Sequence, residues 1–159
     1  MQIRVVDFEL VTKHFSTYQD GAEKIEQSKK EFIEKVDPYR REMQNILVAA
    51  QSGLIVDSMT QKQRTEKFQH MQKEIVELDK VFKGEVQRMR DELTKVTYKE
   101  LEDYIVNFSK DKDFDCVIGK LEIVYCKEEF DITNQILEIL KENGVYREYI
   151  EEEEESLQQ

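Results

Sequence analysis

A chain of 159 residues can hold one ordinary domain with an appendage, yet 37% of these residues are charged and mean hydropathy is −0.70, which does not suit a self-sufficient globule. One Pro and five Gly exclude a loop-rich or disordered chain. A net charge of −11 removes nucleic acid and anionic lipid from the expected partners, because both demand clustered Lys and Arg.

In chain order, Ile3-Arg4-Val5-Val6 reads as a short strand and Asp7 as the N-cap of a helix. Two long helical stretches follow, roughly residues 8 to 52 and 60 to 109. In the first, Ile25, Phe32, Tyr39 and Ile46 share one seven-residue position, and Val36, Met43 and Ala50 the complementary one. Asp20-Gly21 is an irregularity, and Asp37-Pro38 marks either a bend or a tolerated exposed break. Gln51-Ser52-Gly53 ends this arm. The connecting segment Leu54-Ile55-Val56-Asp57-Ser58-Met59 is unusually apolar for a loop, fitting either a client-contact patch or a staple between helices. Thr60-x-x-Gln63 has the form of a capping box for the second arm.

The second arm places Phe68, Ile75, Phe82, Met89 and Val96 at one heptad position, with Met71 and Leu78 at the next. Around Val86, Leu93 and Leu101 the stripe drifts, as at a stutter, and continues through Ile105 and Phe108. Arms of about 45 and 50 residues, roughly 65 to 75 Å at 1.5 Å per residue, let an antiparallel hairpin return to its base. Beyond it, Cys116-Val117-Ile118 reads as a strand, Gly119-Lys120 as a turn and Leu121 to Tyr125 as a second strand. Asp131-Ile132-Thr133 caps a final helix that Gly144 stops. The run Glu151 to Glu155 supplies five negative charges to an acidic, mobile tail over 143–159.

The expected fold class is α+β. A small β body is built from 1–7 and 113–142, and a helical hairpin arm spans 8–112 with its tip at 52–60. One hairpin buries little, so oligomerisation is the natural remedy. Cys116 and Cys126 read as two small buried thiols, or as a bridge across a hairpin. No Cys/His spacing suggests a metal and no Gly-rich loop a nucleotide. His14 and His70 stand apart, so no enzyme, cofactor or metal is expected. The longest apolar run, Ile46 to Ala50, is far too short to span a membrane. Met1 leads straight into the first strand without a secretory leader, so the expectation is a cytoplasmic protein, or a periplasmic one whose leader has been removed.

Four stretches carry a family resemblance: Ile3-Arg4-Val5-Val6-Asp7, Asp115-Cys116-Val117-Ile118, Ile123-Val124-Tyr125 and Asp131-Ile132-Thr133-Asn134-Gln135-Ile136-Leu137. In this order around a helical hairpin they resemble the Skp/OmpH family of chaperones over about residues 3 to 142. The resemblance implies a jellyfish-like homotrimer whose coiled-coil tentacles hold unfolded protein without ATP. It implies that Ile3, Val5, Val117, Ile123, Tyr125 and Ile132 belong to the trimeric body. The best-known members are basic, and the acidity here departs from them.

Two functions follow as expectations. One is an ATP-independent holdase that contacts client through Met43, Leu54, Ile55, Val56, Met59, Met71 and Met89, since unbranched thioethers adapt to varied partners. For the methionines, packing in the seam between the arms is the plainer account. The alternative is a structural or adaptor coiled coil, virus-encoded or cytoplasmic, whose acidic surface selects a basic partner. A prefoldin-like chaperone fits less well, because there the strands lie between the helices.

Overall fold

In the computed structural model, which describes residues 1–53 and 56–150, strand β1 (Ile3–Val6) leads into a short helix α1 (Phe8–Lys13). The long helices α2 (Ser16–Gln51) and α3 (Ser58–Lys110) follow, then strand β2 (Cys116–Gly119) and helix α4 (Thr133–Glu142). By its internal contacts the chain divides into two compact units, residues 1–23 with 92–159 and residues 24–91. The first is called the body here and the second the arm. The tail run 151–155 lies outside the described residues.

β1 and β2 pair in parallel, Ile3 against Cys116 and Val6 against Gly119. Parallel strands need a long crossover, and here the helical hairpin is that crossover. The two ends of the chain thus meet in one small sheet, as the sequence pattern implied. The expected second strand, Leu121 to Tyr125, is not one. Lys120–Glu122 forms a 3-10 turn, Ile123 is extended at φ −118° and ψ 125°, and β1 instead bridges Val5 to Asp131. An apolar, β-branched segment forms a strand only where a neighbour offers it a ladder.

The body core is one cluster of Val6, Val11, Phe15, Leu101, Ile105, Ile132, Ile136 and Leu140, all buried. α1 exists because Asp7 accepts a hydrogen bond from the Leu10 N–H at 3.0 Å, as an N-cap should. Thr133 joins two segments: its hydroxyl accepts from the Asp7 N–H at 2.9 Å and donates to Asp131. The Asp131 carboxylate also takes the Thr133 N–H and the Lys120 ammonium, each at 2.9 Å. The Asp-Ile-Thr triplet is therefore a knot tying α4 to the end of β1 and to the turn after β2.

Partial burial pushes the Asp131 carboxyl up, but the Thr133 hydroxyl, Lys120 and the Thr133 N–H together hold it below its usual range. A depressed folded value means stability present above the unfolded carboxylate's value near 4, lost as pH falls through the folded one. Asp131→Asn should thus melt below wild type at pH 6, by about 1 kcal/mol for a charge-assisted bond at a partly exposed site. The two melting curves should converge as pH falls toward 3. A gap that stays constant across that range would rule out the charge as its source.

Gly21 answers the irregularity at Asp20-Gly21. α2 runs through it unbroken, and a Cβ there would lie 2.2 Å from Leu93 Cδ1, so glycine allows that leucine onto the helix backbone. The stripe drift in α3 is also borne out. Val96, at the extrapolated heptad position, is exposed, while Thr97, Leu101 and Ile105 take the buried face. Thr97 is 1% exposed and its Oγ1 has no hydrogen-bond partner among the described residues. A buried orphan hydroxyl is costly, so Thr97→Val should raise stability by about 1 kcal/mol. A loss of melting temperature in that variant would show that the hydroxyl is satisfied in solution.

The segment after Gly144, expected to be a mobile tail, is docked as far as Tyr149. Gly144 ends α4 at φ +68°, and Ser16 N–H then donates to the Val145 carbonyl at 2.9 Å, giving the first turn of α2 an acceptor. Phe15 bridges Tyr146, and Arg147 N–H donates to the His14 carbonyl at 2.9 Å. The His14 ring stacks on Tyr146 at 5.2 Å, and Arg147 pairs with Asp20 at 2.8 Å.

Candidate functional site

Among the described residues, the candidate surfaces are those that expose apolar side chains. In the arm, α2 and α3 form the expected hairpin seam. Ile25, Val36, Met71 and Val86 are buried in it, and Phe32 stacks face to face on Phe82 with ring centres 4.1 Å apart. Stacked aromatic pairs add about 1 kcal/mol beyond their burial. Glu42 on α2 pairs with Lys67 on α3 at 2.5 Å, while Asp37–Arg41 and Asp79–Lys83, each at 2.6 Å, brace single helix faces. Exposed pairs of this kind contribute a few tenths of a kcal/mol each. Pro38 sits inside α2, where Asp37 is engaged by Arg41.

The expected client residues divide by environment. Met71 is buried in the seam, and Met43 and Met89 are half-buried. Met59 is 71% exposed at the start of α3. Val56 is half-buried and, with Ile46, Leu47, Phe68 and Ala50, lines a cavity of about 400 Å³ at the ends of the two helices. Leu54 and Ile55 lie outside the described residues. The cap of α3 is Asp57 rather than the expected box from Thr60. Its carboxylate accepts the Thr60 N–H at 2.8 Å and the Thr60 hydroxyl at 2.7 Å, and these bonds, the hydroxyl's first, hold its carboxyl below the usual range. The signal was legible, since Asp three residues before Thr is a cap pattern of equal standing.

What sequence reasoning missed in the arm is a second set of apolar residues facing water: Ile33, Leu47, Val48, Val76 and Val81, all exposed. They fall off the heptad seam, which is why a search for the seam passes over them. Charge also partitions. Residues 24–91 carry fourteen Lys and Arg against twelve Asp and Glu, a net of +2, so the remainder holds −13 of the total −11. The acidity belongs to the body unit, and the arm surface is close to neutral.

In the body, the residues expected at a trimer contact also divide. Val5 and Ile132 are each 2% exposed within the single chain, and Ile3 and Val117 are half-buried. Ile123 is half-buried and Tyr125 is 79% exposed. Beside it Leu121 and Val124 are almost wholly exposed, an apolar segment that nothing in this chain covers among the described residues. Arg4 lies over the rings of Phe114 at 4.7 Å and Phe130 at 5.6 Å, closing the sheet's flank. Cys116 and Cys126 are both free thiols.

No described helix is long and apolar enough to cross a membrane. The model of the family described as "Outer membrane protein (OmpH-like)" matches residues 2–140, from the residue before β1 into α4. No curated protein matches the chain.

Proposed function

The chain belongs to the OmpH-like family, a family of non-enzymatic chaperones that bind unfolded client proteins, and from that premise we propose that it is an ATP-independent holdase working as a homotrimer. The supporting observation is the arm's water-facing set of Ile33, Leu47, Val48, Met59, Val76 and Val81 on an almost neutral helical surface. Scattered aliphatic side chains on rigid helices give many weak, non-directional contacts. Such contacts hold an unfolded chain without selecting one conformation.

Met59 and Val56 remain client residues in this reading, together with the exposed aliphatics. Met43, Met71 and Met89 serve chiefly to pack the seam. A near-neutral arm imposes no demand for a basic client, so the client is selected by exposed apolar surface.

The test is suppression of aggregation. Purified protein should keep a denatured β-rich client soluble at one trimer per client, without nucleotide. A variant combining Leu47→Lys, Val48→Lys and Val76→Lys should lose most of that effect while keeping its helical circular dichroism. Full suppression by the triple variant would remove these residues from the client surface. Failure of the wild-type protein to protect any client would end the holdase reading.

A further inference from the structure

We propose that the cavity at the α2–α3 connection reads polypeptide C-termini, taking the last, bulky apolar residue of a client chain and pairing its terminal carboxylate with Arg64. This rests on the holdase reading above and names the part of a client that the site selects.

The cavity lies wholly within residues 24–91 and measures about 400 Å³, at the small end of the range for ligand pockets. Ile46, Leu47 and Ala49 of α2, Val56 of the connection and Phe68 of α3 make its walls apolar. That suits one aliphatic side chain rather than a length of chain.

The same cavity has a cation in its wall. Gln61, Arg64, Thr65 and Phe68 recur at the three- and four-residue spacing of one face of α3, and all four line it. The charges around Arg64 are engaged. Lys62 pairs with Glu66 at 4.0 Å, Lys67 pairs with Glu42 at 2.5 Å, and Asp57 is held by Thr60. Arg64 itself is half-buried and has no hydrogen bond or ion pair among the described residues. A guanidinium drawn partly out of water without a counter-charge favours an anion, and its fork of donors fits a carboxylate.

The neighbouring groups suit a chain end. The Gln61 side-chain amide has no partner among the described residues, so it is open to donate beside Arg64. The Thr65 hydroxyl donates to the Gln61 carbonyl at 3.0 Å, which leaves its oxygen to accept an incoming N–H. An apolar pocket, a fork of donors and one acceptor match what a last residue presents together: side chain, carboxylate and backbone N–H. An internal Asp or Glu brings a carboxylate without the apolar side chain, and brings two flanking stretches of chain.

The test is fluorescence anisotropy of a labelled, flexible peptide ending in leucine, as free acid and as C-terminal amide, against the full chain. The acid should bind about tenfold or more tightly than the amide, the worth of one charge-assisted hydrogen bond. Arg64→Gln should bind acid and amide equally, with helical circular dichroism unchanged. Ala49→Leu, which adds bulk at the wall, should weaken both forms about tenfold and keep their ratio. No binding of the acid at about 1 mM, where a few weak contacts already register, overturns the proposal. An acid–amide ratio near one in the wild type overturns it too, as does a preference that survives Arg64→Gln. A cavity that takes a fatty acid and not the peptide has the same force. A protein that protects clients without preferring the acid overturns this site and leaves the holdase reading standing. One that prefers the acid yet protects no client ends the holdase reading and leaves the site.

Discussion

Replacing Leu101 with Ala is expected to remove about 4 kcal/mol of stability, while Val96→Ala, five residues earlier on the same helix, should cost under about 0.5 kcal/mol. Leu101 has no exposed surface and packs in the cluster with Phe15, Ile105, Ile132 and Leu140, with α1 and α4 on the other side of the core. Truncation there leaves a cavity in a close-packed interior, which adds to the lost transfer energy. Val96 is 42% exposed and leaves no such hole.

The comparison decides between two readings of α3. Continuing the heptad from Phe82 and Met89 makes Val96 the costly position, whereas the drift moves the buried face to Thr97 and Leu101. Urea unfolding followed by circular dichroism at one fixed protein concentration measures both, because any oligomer makes apparent stability concentration-dependent. Equal costs at the two positions would mean that the seven-residue register runs on through the base of the helix.

Ending the chain at Gly144 is the second large effect, with an expected loss of about 3 kcal/mol and a fall in melting temperature of about 8 °C. The cut removes the acceptor of Ser16 N–H, the partner of the His14 carbonyl, the ring stacked on His14 and the Arg147 pairs with Asp20 and Glu23. It also uncovers Phe15, now fully buried, and takes away Val145 and Tyr146 from the edge of the core. A chain ending at Ile150 is the control, since it lacks only the acidic run and its last residues. It should melt within about 1 °C of the full chain, because a run of five consecutive Glu is a poor candidate for burial. A Gly144 truncation that melts like the Ile150 one would show that the docked strap contributes nothing. Residues 145–149 lie beyond the stretch that the family model matches.

Much of the body's wiring was legible because it is local. Asp7 three residues before Leu10, Gly144 after the last apolar turn and Asp131 two residues before Thr133 each form their bonds within a few positions. The same logic names Asp57 as the α3 cap, although Thr60 looked as good until a hydrogen bond chose between them. The arm's buried seam was legible for a related reason. A seven-residue repeat needs only one neighbouring helix, and Ile25, Val36, Met71 and Phe32 against Phe82 follow it.

The candidate surfaces were harder to read. Segment 121–125 carries the composition of a strand, and composition does not say whether a neighbour offers it a ladder. The water-facing aliphatics of the arm fall outside any repeat, so no period points to them. The charge partition was present in the residues, yet it emerges only once contacts place a boundary at residues 23 and 92.

By itself, then, the order of residues determined two long helices, their seam, the Asp7 cap and the closing of both chain ends, although not that the first stretch breaks after Lys13 to leave helices of 36 and 53 residues. Tertiary structure alone decided that β1 lies parallel to β2 and bridges Asp131, that Thr97 rather than Val96 takes the buried face of α3, and that the segment past Gly144 folds back on Phe15. These are contacts between residues a hundred positions apart, where burial and hydrogen-bond geometry choose among partners that local pattern leaves equivalent.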